Sequence, residues 1–147
     1  MPSIAEFQAA VGSELEPSDW WLIDQDRVND FARVVMDPES WTHTDPVRAA
    51  AVGGTTVQGL LLLGLVPFLL RPHLALPEGC TNGLNYGFDR LRFTNVLRVG
   101  KRVRMHARLL EFARHRDSWW RKKLGISVEI EGEDKPALIA DWMIMYT

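Results

Sequence analysis

Residues 53–70 have the sequence Gly-Gly-Thr-Thr-Val-Gln-Gly-Leu-Leu-Leu-Leu-Gly-Leu-Val-Pro-Phe-Leu-Leu. From residue 57 to residue 70 only Gln58 carries a strongly polar side chain, and the run is too long for a strand. The stretch therefore predicts a helix that is apolar on every side. Such a helix is buried, because each of its sides must be covered by lipid or by other elements of the protein.

The length of this run disfavours lipid as its surroundings. A transmembrane helix needs about 20 apolar residues, whereas the run here is shorter, contains Gly64 and Pro67, and ends at Arg71. Pro67 lacks a backbone N–H and clashes with the carbonyl group four residues earlier, which predicts a kink or an irregular end. Thr55 and Thr56 predict a hydroxyl N-cap for the helix. We therefore expect a kinked helix inside the protein and no membrane span.

The composition is typical of a soluble protein from a reducing compartment. The chain has 147 residues, of which 46% are hydrophobic and 24% charged, and its net charge is −2. One domain over residues 1–147 accounts for this length, and the charge gives no indication of a nucleic-acid partner. Cys80 is the only cysteine, which excludes an intrachain disulfide. Since the first residues also lack the pattern of a secretory signal, we expect a cytoplasmic protein.

Short helices are predicted before the apolar run, each from its capping residues. These are Ser3 with Glu6, Asp24, and Asp45 with Pro46. The helix after Asp24 carries an apolar stripe of Val28, Phe31, Ala32 and Val35. Residues 18–23 favour a strand, and residues 37–45 are predicted to form a polar loop.

After residue 77 the apolar pattern changes from helical to alternating. Strands are predicted over residues 83–93, 102–109, 119–131 and 137–146, with turns between them. Such a meander is an antiparallel sheet with one apolar face that needs a cover, and the central helix is the obvious cover. The sequence therefore predicts an α+β protein of hotdog architecture, an antiparallel sheet wrapped around a central apolar helix. Its open edge strands favour pairing into a dimer.

Several segments together carry a further pattern. They are Phe31-Ala32 followed by Asp37, Trp41-Thr42-His43-Thr44-Asp45-Pro46, Gly54-Thr55-Thr56-Val57-Gln58-Gly59, Leu65-Val66-Pro67, and Asn85-Tyr86-Gly87-Phe88-Asp89-Arg90-Leu91-Arg92-Phe93. In their order and spacing the chain resembles the MaoC-like dehydratases and R-specific enoyl-CoA hydratases, particularly the branch related to nodulation protein N. The resemblance spans residues 20–146.

The resemblance implies an enzyme, a hydro-lyase that adds water reversibly to a trans-2-enoyl-CoA or enoyl-carrier thioester in fatty acid metabolism. The implied chemistry requires no cofactor and no metal, and the open edge strands make a homodimer the expected assembly. The catalytic residues carried over are Asp37 and His43, on the loop before the central helix. The N–H of Gly59 is expected to bind the thioester oxygen, and Gln58 is a further candidate for substrate binding.

These residue types suit the reaction. Hydration needs a base to take a proton from water as it attacks C3, an acid to protonate C2, and donors for the negative charge that develops on the thioester oxygen. A carboxylate and an imidazole on one loop can share a single water. The first turn of the helix supplies the donors.

The chain also departs from the family pattern at three points. Asp37 and His43 lie six residues apart where the family usually has five, Glu39 stands where many members have an asparagine, and Gln58 replaces a histidine. Two alternatives follow from these departures. One is a non-catalytic acyl-thioester-binding or structural subunit, and the other is a polyketide-type dehydratase or cyclase.

Each candidate residue also has a structural interpretation. Asp37 before Pro38 can simply end a helix, His43 can be a hydrogen-bonded loop residue, and Asp45 is assigned mainly to N-capping. Gln58 can be a buried amide satisfied by the backbone. His73, His106 and His115 show no metal-ligand spacing with His43. The basic residues around Trp119 and Trp120 favour a solvated hairpin over an RNA site, and contact with coenzyme A phosphates is a third reading.

Overall fold

The computed structural model describes residues 1–116 and 118–147. The helices are α1 (Ile4–Ala9), α2 (Gln25–Val34), α3 (Trp41–Thr44), α4 (Pro46–Ala49), α5 (Gly59–Gly64) and α6 (Val66–Leu69), and 3-10 turns cover Ala50–Val52 and Arg71–His73. The strands are β1 (Trp21–Leu22), β2 (Gly83–Phe93), β3 (Arg102–Arg116), β4 (Trp119–Ile130) and β5 (Leu138–Tyr146). The strand predicted over residues 102–109 is longer than expected, since β3 continues to Arg116 and occupies part of a turn predicted over residues 114–118. Asp117 lies outside the described residues.

The strands form one antiparallel sheet in the order β1-β3-β4-β5-β2. Its inner face is built from alternate residues, as the pattern predicted: Val103, Met105, Ala107 and Leu109 on β3 are between 0% and 3% exposed. On β4, Leu124, Ile126, Val128 and Ile130 are between 0% and 4% exposed. The helices α5 and α6 pack on this face, so the predicted hotdog architecture is confirmed.

The central helix is divided into two parts. Leu65 ends α5 with its N–H on the carbonyl groups of Leu61 and Leu62, and α6 then begins at Val66 with Pro67 in its first turn. Pro67 offers no N–H to the carbonyl group of Leu63, which explains the break that the sequence predicted. None of the helices in the described part of the chain is long and apolar enough to cross a bilayer.

The prediction that this helix is covered on every side is wrong for the single chain. Leu61, Leu62, Val66, Leu69 and Leu70 lie in the core, but Leu60 is 62% and Phe68 38% exposed. One of these side chains lies on each part of the divided helix, Leu60 on α5 and Phe68 on α6. An apolar composition on all sides therefore does not mean that the fold of one chain buries all sides.

The start of the helix also differs from the prediction of a hydroxyl N-cap. The N-cap is Gln58, and its side chain makes no capping hydrogen bond. Thr55 and Thr56 lie instead in an extended segment, because the N–H of Val57 bonds to the carbonyl of Leu97 (2.8 Å) and the N–H of Val99 bonds to the carbonyl of Thr55 (3.0 Å). The helix therefore begins at Gly59, four residues later than Thr55.

The N-terminal helices begin where their capping residues predicted. Ser3 and Glu6 form a complete capping box, Asp24 accepts from the N–H of Arg27, and Asp45 accepts from the N–H of Arg48. The strand predicted over residues 18–23 is reduced to Trp21–Leu22.

The loop predicted over residues 37–45 contains the helical turn α3. It forms because the carbonyl of Ser40 accepts from the N–H groups of His43 (2.8 Å) and Thr44 (3.1 Å). The turn carries His43 on a regular element instead of a loop.

Candidate active site

The four site residues predicted from the sequence border one cavity of about 620 Å³ beside the start of α5. They are Asp37, His43, Gln58 and Gly59. The remaining walls are mostly apolar: Phe31 and Val35 from α2, Val57, Leu60 and Leu62 from the central helix and its approach, and Phe93, Val96, Leu97 and Ala137 from the sheet side. The cavity therefore combines a small polar cluster with an apolar surface, the usual composition of a small-molecule site.

Asp37 is placed by the end of α2. Met36 adopts a left-handed conformation (φ 63°), and the N–H of Asp37 returns to the carbonyl of Ala32 at 2.8 Å. This is a Schellman ending, in which glycine usually occupies the left-handed position. A side chain there costs about 1 kcal/mol or more. The strained turn leaves the Asp37 side chain exposed at the cavity.

His43 is held through its Nδ1 atom. Nδ1 lies 2.7 Å from the carbonyl oxygen of Thr56 and 3.0 Å from its Oγ1. A carbonyl oxygen only accepts, so Nδ1 carries the proton and the neutral ring has its lone pair on Nε2. The imidazole is half-buried and borders the cavity. His43 is thus fixed in the tautomer that can take a proton at Nε2.

Gln58 uses its amide to join the start of α5 to α2. Its Nε2 donates to the carbonyl of Val28 at 3.0 Å, whereas its Oε1 is buried and has no hydrogen-bond partner among the described residues. The donor half of the amide therefore has the backbone partner that the structural interpretation required. Within the part of the chain that the structure describes, the acceptor half remains open to an outside donor.

Gly59 is required by the packing of Phe93. A β-carbon at position 59 would lie 2.7 Å from Cδ1 and 2.8 Å from Cε1 of the Phe93 ring. Gly59 is also the first residue of α5, so its N–H has no carbonyl partner within the helix. A backbone donor and a close aromatic neighbour are thus found at the same position of the cavity.

The other titratable residues singled out in the sequence lie elsewhere. His106 Nε2 bonds to Glu129 at 2.5 Å, and His73 Nε2 contacts the carbonyl of Glu16 at 2.9 Å. Among residues 1–116 and 118–147, no group of three or more His, Cys, Asp or Glu side chains is arranged to hold a metal ion.

The basic hairpin is largely neutralised by acidic neighbours. Arg121 pairs with Glu111 at 2.7 Å and Lys123 with Asp89 at 2.9 Å. These pairs leave less positive charge for a nucleic acid. The prediction of a solvated hairpin is wrong for Lys122, which is 2% exposed and points into the core.

A family model described as the MaoC like domain matches residues 6–127. The chain belongs to the MaoC-like family. Nodulation protein N from Rhizobium meliloti is 38% identical over 144 residues, which cover 96% of this chain and 89% of that protein. The 3-hydroxyacyl-thioester dehydratase Z of Mycobacterium tuberculosis is 35% identical over 146 residues, 98% of this chain and 95% of that protein. The resemblance seen in the sequence is thereby confirmed.

A solved structure shares the fold of this MaoC-like chain. The (R)-hydratase from A. caviae involved in PHA biosynthesis superposes with a TM-score of 0.69 at 23% identity, covering 91% of this chain and 94% of that chain. At this identity the likeness shows the common fold alone.

One polar residue that holds the MaoC-like site in place was missed by sequence reasoning. Gln25 Nε2 donates to the carbonyl of His43 at 2.6 Å and to Asn29 Oδ1 at 2.9 Å, while its Oε1 accepts from Thr55 Oγ1 at 2.6 Å. Gln25 therefore fastens the His43 turn to both α2 and the extended approach to α5. A lone glutamine in the first turn of a helix gives no spacing signal, and only its position directly after the Asp24 cap suggested that it would be fixed.

Proposed function

We propose that the protein is an enoyl-thioester hydratase or dehydratase, which adds water reversibly to a trans-2-enoyl-CoA or enoyl-carrier thioester. The observation that carries the proposal is the convergence of Asp37, His43 and the Gly59 N–H on one largely apolar cavity of a MaoC-like chain. The apolar walls suit the acyl chain, and the polar cluster suits the reacting atoms.

In the proposed reaction Asp37 and His43 hold one water. His43 is suited to take a proton at Nε2, because Nδ1 donates to Thr56. An O–H bond of the water breaks as its oxygen bonds to C3, and the released proton passes to His43 Nε2. The C2–C3 double bond becomes single, and the Asp37–His43 pair returns one proton to C2. The Gly59 N–H binds the thioester oxygen while negative charge develops on it. The dehydration direction runs through the same steps in reverse.

Amide and alanine variants test the two proposed catalytic residues. Asp37→Asn and His43→Ala should each lower the turnover of crotonyl-CoA or a longer enoyl-CoA by about 100-fold or more, with the folded state retained by circular dichroism. Asp30→Asn is the matched control, since Asp30 is an exposed carboxylate on α2, the helix that ends just before Asp37. Unchanged turnover in either variant would remove that residue from the mechanism.

A panel of enoyl-CoA chain lengths separates this proposal from a non-catalytic subunit. The hydratase hydrates at least one member of the panel. Binding of acyl-CoA without hydration at any length would favour the binding subunit, and hydration of a cyclic or branched polyketide-type thioester alone would favour the third alternative.

We also propose that the working unit is a homodimer in the cytoplasm. Support comes from the exposed apolar side chains of the central helix, Leu60 and Phe68, and of the edge strand β2, Leu84 and Tyr86. A second copy can cover both at once by pairing along the open edge of β2. Sedimentation should give twice the chain mass of 16.7 kDa, and a species of single mass at micromolar concentration would overturn the dimer.

A further inference from the structure

Strand β2 contains a bulge close to the candidate active site. In its pairing with β5, Asp89 lies opposite Asp141 but Arg92 lies opposite Ile139. Arg90 and Leu91 together therefore face Ala140 alone. A bulge of this kind bends the strand and changes which face the following side chains reach.

The side chains around the bulge show this change of face. Phe88 packs against the inner core, and Asp89 is on the outer face, where it meets Lys123 at 2.9 Å. Arg90 is on the outer face as well, since its guanidinium binds Asp141. Two successive outward residues are possible only because the alternation is interrupted. Leu91 then packs against the core, and Phe93 covers Gly59 on the same inner face.

Without the bulge, Phe93 would point away from the site. In a regular strand with Phe88 inward, residue 93 falls on the outer face, because side chains alternate with a period of two. Phe93 is also 48% exposed where it stands, so burial holds it only in part. The backbone of the bulge is what directs the ring to Gly59.

The bulge itself is held by an ion pair. Arg90 has a left-handed backbone (φ 51°), which residues with a β-carbon rarely adopt. Its Nε and Nη2 atoms lie 2.8 Å and 2.7 Å from Oδ2 of Asp141. Asp141 is only 7% exposed, and Lys123 is farther from the same oxygen, at 3.9 Å. A nearly buried carboxylate thus compensates for an unfavourable backbone conformation.

We propose that Arg90 and Asp141 are positioning residues for the reaction. They hold the bulge that seats Phe93 on Gly59, and Phe93 in turn fixes the Gly59 N–H that receives the thioester oxygen. The catalytic part of this inference rests on the proposed function. The part that concerns Phe93 and Gly59 does not.

A double-mutant cycle on stability tests the structural part without any substrate. Gly59→Ala should lower the urea midpoint in the wild-type background, because the new methyl group collides with Phe93. In a Phe93→Ala background this loss should disappear, which shows how much of the loss comes from contact with the Phe93 ring. In Arg90→Ala and Asp141→Asn backgrounds the loss should shrink by at least about half, since a relaxed bulge frees Phe93 to move.

The matched control for the cycle is Arg104→Gln, which removes another ion pair from the outer face, to Glu129, away from the bulge. In that background Gly59→Ala should lower the midpoint as much as in the wild type. An undiminished loss in both the Arg90→Ala and Asp141→Asn backgrounds would overturn the proposal.

Kinetics test the catalytic part. Arg90→Ala and Asp141→Asn should lower kcat by about tenfold and leave KM within about twofold. The reason is that the displaced Gly59 N–H stabilises the transition state more than the bound substrate. Arg90→Lys should recover most of the loss, and Arg90→Gly should recover less than Arg90→Lys, although glycine accepts the left-handed backbone. Variants that lose stability but keep the wild-type kcat would refute a positioning role.

The two sets of results distinguish the failure of this inference from that of the proposed function. If the wild-type protein hydrates no enoyl thioester, the proposed function fails, and the stability cycle still reports where Phe93 stands. If the wild type is active and the cycle shows no coupling, only the positioning role fails.

Discussion

The sheet interior and the polar segment around the candidate site are held by different forces. In the interior, Val103, Leu124 and Val128 are fully buried at alternate positions. In the segment from residue 36 to residue 59, the chain is held by directed hydrogen bonds such as that from His43 Nδ1 to Thr56 and by a left-handed residue, Met36. Apolar burial has no preferred direction, whereas hydrogen bonds require particular distances and angles. Stability should therefore reside mainly in the first region, and chemistry in the second.

The largest expected effect is a loss of stability in the interior. Leu124→Ala should lower the free energy of unfolding by 2 to about 5 kcal/mol, because the removed side chain leaves a cavity. Its kcat, measured on the folded fraction, should remain near the wild-type value. The measurement is urea denaturation beside turnover. Leu110→Ala on the neighbouring strand, 36% exposed, should change stability by less than about 1 kcal/mol, and an equal loss at both positions would contradict the contrast.

Lys122 is the exception within the interior, since it occupies a core position of β4 and is 2% exposed. Its Nζ donates to the carbonyl of His73 at 2.7 Å and lies 5.0 Å from the Phe7 ring centroid. Burial lowers the pKa of Lys122 from 10.5 to about 8. Between these two pH values the unfolded chain binds a proton that the folded chain does not. The contribution of Lys122 to stability therefore rises with pH across this window. It is complete above pH 10.5 and absent below about pH 8.

Lys122→Met should remove this pH dependence. The free energy of unfolding of the wild type, taken relative to that of the variant, should rise by up to roughly 3 kcal/mol from pH 8 to 10.5. The comparison cancels Cys80 and Tyr146, whose raised pKa values act in the opposite direction in both proteins. The pH slope is the measurement of choice because methionine also leaves the His73 carbonyl without its donor. Lys135→Met, at an exposed position, should retain the wild-type slope. Parallel curves for the wild type and Lys122→Met would show that Lys122 does not titrate in this window.

Within the polar segment, Gln25→Ala should affect catalysis more than stability. It removes the hydrogen bonds to the His43 carbonyl and to Thr55, so we expect kcat to fall by about tenfold. The accompanying loss of stability should be about 1–2 kcal/mol. Gln8→Ala, an exposed glutamine of α1, is the matched control. A normal kcat in Gln25→Ala would mean that Thr56 alone suffices to orient His43.

The smallest expected effect is a gain. Met36 is 87% exposed and left-handed, so Met36→Gly should raise the free energy of unfolding by roughly 0.5–1 kcal/mol. Met36→Ala keeps the β-carbon and should show no gain, which separates backbone strain from loss of the side chain. If both variants have the same free energy of unfolding, the left-handed backbone at Met36 has no measurable effect on stability.

Patterned segments were predictable because their burial repeats with a fixed period. The bounds of β2 and the alternation on β3 and β4 follow directly from where apolar residues stand. The capping box at Ser3 was equally readable, since its partners are three residues apart. Such features depend on local geometry that the sequence carries in full.

Unpatterned features escaped prediction because they depend on partners far along the chain. The hydroxyl of Thr55 was assigned to a helix cap, yet it bonds to Gln25, thirty positions earlier. The bulge in β2 had a weak signal: its apolar residues Phe88, Leu91 and Phe93 are spaced by three and then two. A spacing of three within a strand marks a change of face, but only the pairing with β5 shows where it occurs.

The hotdog fold, the break at Pro67 and four of the residues that border the cavity could be predicted from the sequence. Tertiary structure decided how those residues are held: the tautomer of His43, the late start of the helix at Gly59, and the ring of Phe93 against it. Periodicity reports burial, which is a property of each residue with its near neighbours. Hydrogen bonds between distant segments have no period, so only the folded chain specifies them.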